Sequence, residues 1–471
     1  MISLLFFGVL SLDTILGVPE LKNAHYGIYF YNLDNDSAIY EINSEKLFVP
    51  ASNMKLITTA TALYLLGPHF QFKTYLFLQG EIKERVLHGD IIIAGRGDPT
   101  FALENLEQFV KKIKTLQIKQ ITGRIIVVDD YFIDERLPVG WAWHYLDARY
   151  APEISALSLN KNVVSVRIRP TSAGEYVSVS IYPPTEYVQL VNRMKTTMGD
   201  DSIIIFRKPE ANIIYLDGTI NIKSVRDIDI AVKDPALFTG NYLKERLIAE
   251  GIKIYQKVIR LKENEILSKD NVLIVVDSTV SIPLSEIIKE TNTESENLYA
   301  EILLKTLGAQ LYSEGSFSAG LKAIKEFLYI IGVDTNNVSL WDGSGLSKHN
   351  LVSPRTLVSV LKFMYNNSKL NFYFYNSLPR PGNGTLKARF NGFSNTLRAK
   401  TGAIQATSCL SGYLKISDTN YAFSMLFNNF TCSLKTILNI QEKIISAITE
   451  DIRKDNNDNV KSEYLQEVIQ K

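Results

Sequence analysis

The sequence predicts a multidomain α/β (α+β) protein in which one sheet-and-helix domain is split by a β-rich insertion. Three observations predict it. The chain has 471 residues, more than one core usually holds. Its two ends carry helical and strand patterns, whereas the stretch from about 74 to 280 is a series of short β-rich runs broken by turns. Hydrophobic residues make up 46% and charged residues 21%, an ordinary globular composition.

Residues 2–12, ISLLFFGVLSL, form an apolar run as long as the core of an export signal, and 1–18 is read as such a segment, although no Lys or Arg precedes it. Residues 25–48, HYGIYFYNLDNDSAIYEINSEKLF, alternate about a turn-forming NLDNDS and predict a β-hairpin. KLITTATALYLLG then has helical spacing and stops at Gly67-Pro68. The middle holds strand-like runs such as VLHGDIIIAG, ITGRIIVVDD and NIIYLDGTINI. Helices are expected there near LENLEQFVKKIKTL and PALFTGNYLKERLIAEG. After 280 three helical stretches precede strands at LRAKTG, SCLSGYLKI and NYAFSMLFNN, a last helix over about 433–450, and a polar tail at 456–471. The terminal hairpin, the last strands and the last helix are expected to share one layer. The domains then read as 19–73 with 281–455, split by an inserted region at 74–280 of two nested subdomains.

A net charge of +1, with no long basic run, argues against a nucleic-acid or anionic-membrane partner. Beyond the N-terminus no run approaches a membrane span. Five scattered histidines lack metal-ligand spacing, so no metal and no cofactor are expected. Cys409 and Cys432 are the only cysteines, and whether they pair stays open.

Serine chemistry needs a hydroxyl beside a base, and residues three apart on a helix share a face. Three Ser-x-x-Lys pairs occur: Ser52–Lys55, Ser158–Lys161 and Ser359–Lys362. Ser158 leads into a strand pattern, and Ser359 lies inside a helix that starts at Ser353-Pro354. Ser52 opens a helix, where backbone N–H groups favour developing negative charge. A serine there is also a favoured N-cap, and both readings stand on the sequence alone. Ser295-Glu296-Asn297 sits at another helix start, where capping is the plainer reading. Lys400-Thr401-Gly402 lies on a strand, where a lysine and a hydroxyl with an adjoining glycine suit a docked carboxylate. In chain order the three elements match the set found in β-lactamases and penicillin-binding proteins, with Glu in the middle of the second.

With VPASNMKLITTATAL, GRGDPTF, VVDDYFIDERLPVGWAW, YAPEISALSLNKN, LWDGSGLSKHN, NGTLKARF and LRAKTGAIQATSCLSGYL in this order, the chain resembles the class C low-molecular-mass penicillin-binding proteins, the D-alanyl-D-alanine carboxypeptidase/endopeptidases. The resemblance implies a penicillin-binding/β-lactamase-like transpeptidase domain, an antiparallel sheet flanked by helices and split by inserted β-rich domains. It implies Ser52 as the acylated nucleophile, Lys55 as its base and Ser295 as a proton relay. Asn297 would orient the substrate amide, and Lys400, Thr401 and Gly402 would receive the terminal carboxylate. The backbone N–H groups of Ser52 and Ala403 would form the oxyanion hole. Asp147 and Arg149 are read either as surface residues or as readers of the cross-linking residue of the stem. The implied partners are peptidoglycan stem peptides and, as covalent inhibitors, β-lactams, with the protein in the periplasm or extracytoplasmic envelope. A β-lactamase-like hydrolase and an inactive cell-wall-binding scaffold are the alternatives.

Overall fold

The computed structural model describes residues 11–261 and 273–469, with side chains to residue 454. Two compact units emerge. The first comprises Met1–Tyr64, Ile288–Ser295 and Ile324–Lys471, and the second Leu65–Ile287 with Glu296–Ala323. The sequence reading drew its borders at 73 and 281 and kept 296–323 with the terminal segments. Compactness groups 296–323 with the β-rich unit instead.

The first unit is built on a five-stranded antiparallel sheet in the order Leu397–Ile404, Thr407–Ile416, Thr419–Asn428, His25–Asn32, Ser37–Ile42. The expected hairpin is thus zipped onto the last strands, His25 opposite Asn428 and Asn32 opposite Tyr421. Alternation explains the core. Ile28, Phe30, Phe423, Met425 and Phe427 are fully buried and pack with Ile437, Ile444 and Ile445 of the last helix. Phe30 and Phe423 stack with ring centroids 5.1 Å apart. The helix Pro354–Asn366 also packs on this sheet, and Tyr413 donates to Leu361 O at 2.8 Å.

Two expectations about the chain ends change. Within the segment read as 1–18, residues 1–10 lie outside the described residues. Leu12–Leu16, however, is a helix whose Leu12 and Ile15 are buried in this same core, so its described part belongs to the folded unit. The last helix runs over Leu434–Ile469, through the stretch read as a polar tail. No Gly or Pro interrupts those residues, so nothing in the sequence stops the helix at 450.

Among the described residues the second unit holds three sheets of seven, four and three strands. The largest pairs Lys73–Lys83, Val86–Gly95 and Leu273–Val280 antiparallel, with short parallel strands at its other side. The helices Leu103–Thr115 and Pro235–Ala249 cover it, through Leu106, Phe109, Ile113, Phe238, Leu243 and Leu247. Among the described residues no helix is long and apolar enough to cross a membrane.

Candidate active site

Ser52 stands in a short 3-10 turn, Ala51–Asn53, that runs straight into the helix Met54–Leu66. Every residue from Met54 to Leu63 is buried. The threonines tolerate this because their hydroxyls bond main-chain carbonyls, Thr59 to Lys55 O at 2.6 Å and Thr61 to Ile57 O at 2.8 Å. The turn is strained: Ala51 has φ 44°, a left-handed conformation that costs a non-glycine residue on the order of 1 kcal/mol or more.

Lys55, fully buried, donates to Ser52 Oγ at 3.1 Å and to Ser344 O at 2.8 Å. Ser52 lies inside the turn, whose N-cap residue is Pro50 and which has no side-chain cap bond, so the capping reading of Ser52 does not hold. The Ser344 carbonyl is presented by a loop that Asp342 organises. Its carboxylate accepts from Gly345 N at 2.7 Å, Ser347 N at 2.6 Å and Asn350 Nδ2 at 2.7 Å. Gly345 has φ 84°, and a Cβ there would lie 1.8 Å from Ala51 O. The loop LWDGSGLSKHN is therefore the support of the lysine. Sequence reasoning noted its likeness to a family segment but gave it no role, because a main-chain carbonyl carries no sequence signal.

The edge strand Leu397–Ile404 supplies Lys400, Thr401, Gly402 and Ala403. Asn53 Nδ2 donates to Lys400 O at 3.1 Å, and a Cβ on Gly402 would meet Ser52 N at 2.9 Å, so this strand lies against the turn that carries Ser52. Lys400 is fully buried and donates to Ser295 Oγ at 3.0 Å and Thr401 O at 2.8 Å. Burial, and after it the positive charge of Lys55, holds its pKa well below the usual lysine value. Ser295 sits between two helices with φ 63°, the second strained serine-bearing turn. Ser52, Lys55, Ser295, Lys400, Thr401, Gly402 and Ala403 all belong to the first unit.

The chain is similar to known proteins over most of its length. The model of the D-Ala-D-Ala carboxypeptidase 3 (S13) family matches residues 9–450. The chain belongs to that family. A D-alanyl-D-alanine carboxypeptidase of Actinomadura sp. (strain R39) is 30% identical over 445 residues, which are 89% of this chain and 80% of the relative. The D-alanyl-D-alanine carboxypeptidase DacB of Haemophilus influenzae is 24% identical over 438 residues, 89% of this chain and 88% of the relative. The crystal structure of penicillin binding protein 4 from Haemophilus influenzae superposes with a TM-score of 0.82 at 23% identity, covering 93% of this chain and 99% of that one. The fold is thus the penicillin-binding one that the sequence suggested.

The remaining motif residues of this S13 family member lie in the second unit. Asn297 begins the helix Asn297–Tyr312, and its Nδ2 donates to Tyr150 O at 2.7 Å. Asp147 and Arg149 are both engaged. Asp147 accepts from Arg207 N at 3.2 Å, and Arg149 pairs with Glu296 and, at 3.5 Å, with Asp229. The two other Ser-x-x-Lys pairs keep their plain readings. Ser158 Oγ donates to Ser155 O at 3.0 Å. Ser359 Oγ donates to Arg355 O at 2.9 Å, while Lys362 pairs with Asp36 at 2.5 Å. Cys409 and Cys432 are free thiols, and burial pushes the Cys409 thiol far up.

Proposed function

We propose that the protein is a serine D,D-peptidase that releases the terminal D-alanine of peptidoglycan stem peptides through an acyl-enzyme on Ser52. The observation that carries this reading is the 3.1 Å contact of a fully buried lysine, Lys55, with the hydroxyl of Ser52. An amine in such a place is kept from bulk water, and its neutral form takes the serine proton as the hydroxyl attacks the penultimate D-alanine carbonyl. Main-chain N–H groups of Ser52 and Ala403 stabilise the oxyanion. Ser295, bonded to Lys400, relays the proton taken by Lys55 to the departing D-alanine nitrogen, so that both hydroxyl and amine return to their starting states. Water then hydrolyses the ester. Lys400 and Thr401 hold the terminal carboxylate of the substrate, with Gly402 letting their strand approach the Ser52 turn, and Asn297 orients the amide on the other side of the scissile bond.

A β-lactam imitates the dipeptide and acylates the same serine. Cleavage of the D-alanine cross-link is a second action of the same site, since the attacked carbonyl is the same. The substrate places the protein in the extracytoplasmic envelope. The terminal segments, 19–73 and 281–455, serve as the catalytic domain and 74–280 as the insertion.

Digestion of purified muropeptides followed by mass analysis tests the reading. Loss of one D-alanine from pentapeptide stems is expected, together with halving of cross-linked dimers. Unchanged muropeptides would overturn it.

A further inference from the structure

The sequence reading assigns no role to the middle residue of Ser295-Glu296-Asn297. The second unit gives it a definite place. Glu296 is the N-cap residue of the helix Asn297–Tyr312, yet its side chain makes no cap bond. The carboxylate is instead nearly buried, with 8% of the side chain exposed, and is held by two cations. Arg149 Nη2 reaches Glu296 Oε1, and Lys161 Nζ lies 3.2 Å from the same oxygen. Lys161 also lies 5.4 Å from the centroid of Tyr299, on the same first helical turn. Asp229 balances the group, 3.5 Å from Arg149 Nε.

The neighbour of Arg149 in the chain, Tyr150, supplies the carbonyl that accepts from Asn297 Nδ2 at 2.7 Å. Residues 149–150 therefore grip residues 296–297 twice, once by charge and once by hydrogen bond. The gripping segment is itself fixed. Ala231 N donates to Asp147 O at 2.9 Å, Arg207 N donates to Asp147 Oδ2 at 3.2 Å, and Ala148 bridges Ile230.

We infer that Glu296 is a positioning residue: clamped by Arg149 and Lys161, it fixes the start of the helix and with it the amide of Asn297. This gives Arg149 a supporting role in place of reading the stem peptide. The inference rests on the role proposed above for Asn297. Removing the charge of Glu296 leaves two cations without their shared partner and frees the first turn to shift, and a shift of about 1 Å in a positioned group costs up to about a hundredfold in rate.

The test uses the full chain, a blocked peptide ending in D-Ala-D-Ala, and the variants Glu296→Gln, Asn297→Ala and their combination, with thermal midpoints as the folding control. Glu296→Gln is expected to lower kcat/KM on the order of tenfold in the parent protein. It should add nothing further in the Asn297→Ala background, a dependence that a general loss of folded protein would not produce. Arg149→Met, on a half-exposed side chain, should act in the same direction and supplies the same comparison if Glu296→Gln fails to fold. An unchanged kcat/KM, or an equal fold-loss in both backgrounds, would overturn the inference. A parent protein that releases no D-alanine would instead overturn the peptidase reading, and this inference with it.

Discussion

In the second unit, Arg136 and Arg260 share the carboxylates of Asp129, Asp134, Glu153 and Asp234. In the first unit, fully buried Lys400 has a hydroxyl and a carbonyl as partners and a second cation, Lys55, as its electrostatic neighbour. Burial alone would lower the Arg136 guanidinium, but its bonds to Asp134 and Asp234 outweigh that and raise it. Burial would likewise raise the Asp134 carboxyl, but the two arginines bring it down to about 2. In Lys400 burial wins, and the pKa falls. Compensated charge of the first kind staples the loop 129–136. Charge of the second kind is costly to bury, and a fold keeps it where chemistry requires an amine of altered basicity. Lys305 shows that burial by itself is not the mark. Burial lowers it to about 8, but its amine holds Ile133 O and Glu135 O at 2.7 Å and lies over Phe132 and Phe317, with no serine hydroxyl among those partners.

This contrast can be broken most strongly at Lys55. Lys55→Ala is expected to slow acylation by labelled penicillin by about a thousandfold, the usual worth of a general base, with the fold retained. Lys55→Arg should not restore it, because a guanidinium does not deprotonate. Next comes Lys400→Met, predicted to lower peptide kcat/KM about a hundredfold through loss of the carboxylate contact. The same change should raise the thermal midpoint at neutral pH. The folded-state pKa of Lys400 lies below its unfolded value, so the unfolded chain binds more protons and the parent gains stability as pH rises. The advantage of the methionine variant should therefore shrink toward pH 10.5, the unfolded lysine value. Melting curves across pH measure this directly.

The compensated side breaks differently. Arg260→Leu leaves Asp129 without its cation and Asp134 with Arg136 alone, and is expected to cost about 3 kcal/mol in denaturant unfolding, while the folded fraction still takes up labelled penicillin. Asp134 has a depressed folded-state pKa, so its contribution is present above pH 3.8 and fades as pH falls toward about 2. Acid unfolding of the parent in that window, flattened in Asp134→Asn, checks the sign. The smallest effect is expected at the decoy pair. Ser359→Ala removes a hydroxyl bonded to its own helix and should change stability by no more than about 0.5 kcal/mol, with acylation intact.

Much of this contrast was legible in the sequence, for physical reasons. Ser52 and Lys55 stood out because a helix start and a three-residue spacing put them on one face. Lys400 stood out because a lone Lys-Thr-Gly closes a strand. The joining of the N-terminal hairpin to the last strands followed from the strand and helix patterns at the two ends that enclose a β-rich middle. What escaped were partners without a local pattern. The carbonyl of Ser344 is main chain, Asn53 reaches a strand some 350 residues away, and Glu296 carries no local signal because its clamp comes from residues 149 and 161. The continuation of the last helix beyond 450 was missed because polar composition was read as a tail although no helix breaker was present.

The central claim is that Ser52 is the residue made reactive by this arrangement. Intact-mass measurement and peptide mapping after incubation with labelled penicillin test it most directly. One covalent adduct on the peptide containing Ser52, absent in Ser52→Ala, is the predicted result; an adduct elsewhere, or labelling that survives Ser52→Ala, would contradict the account.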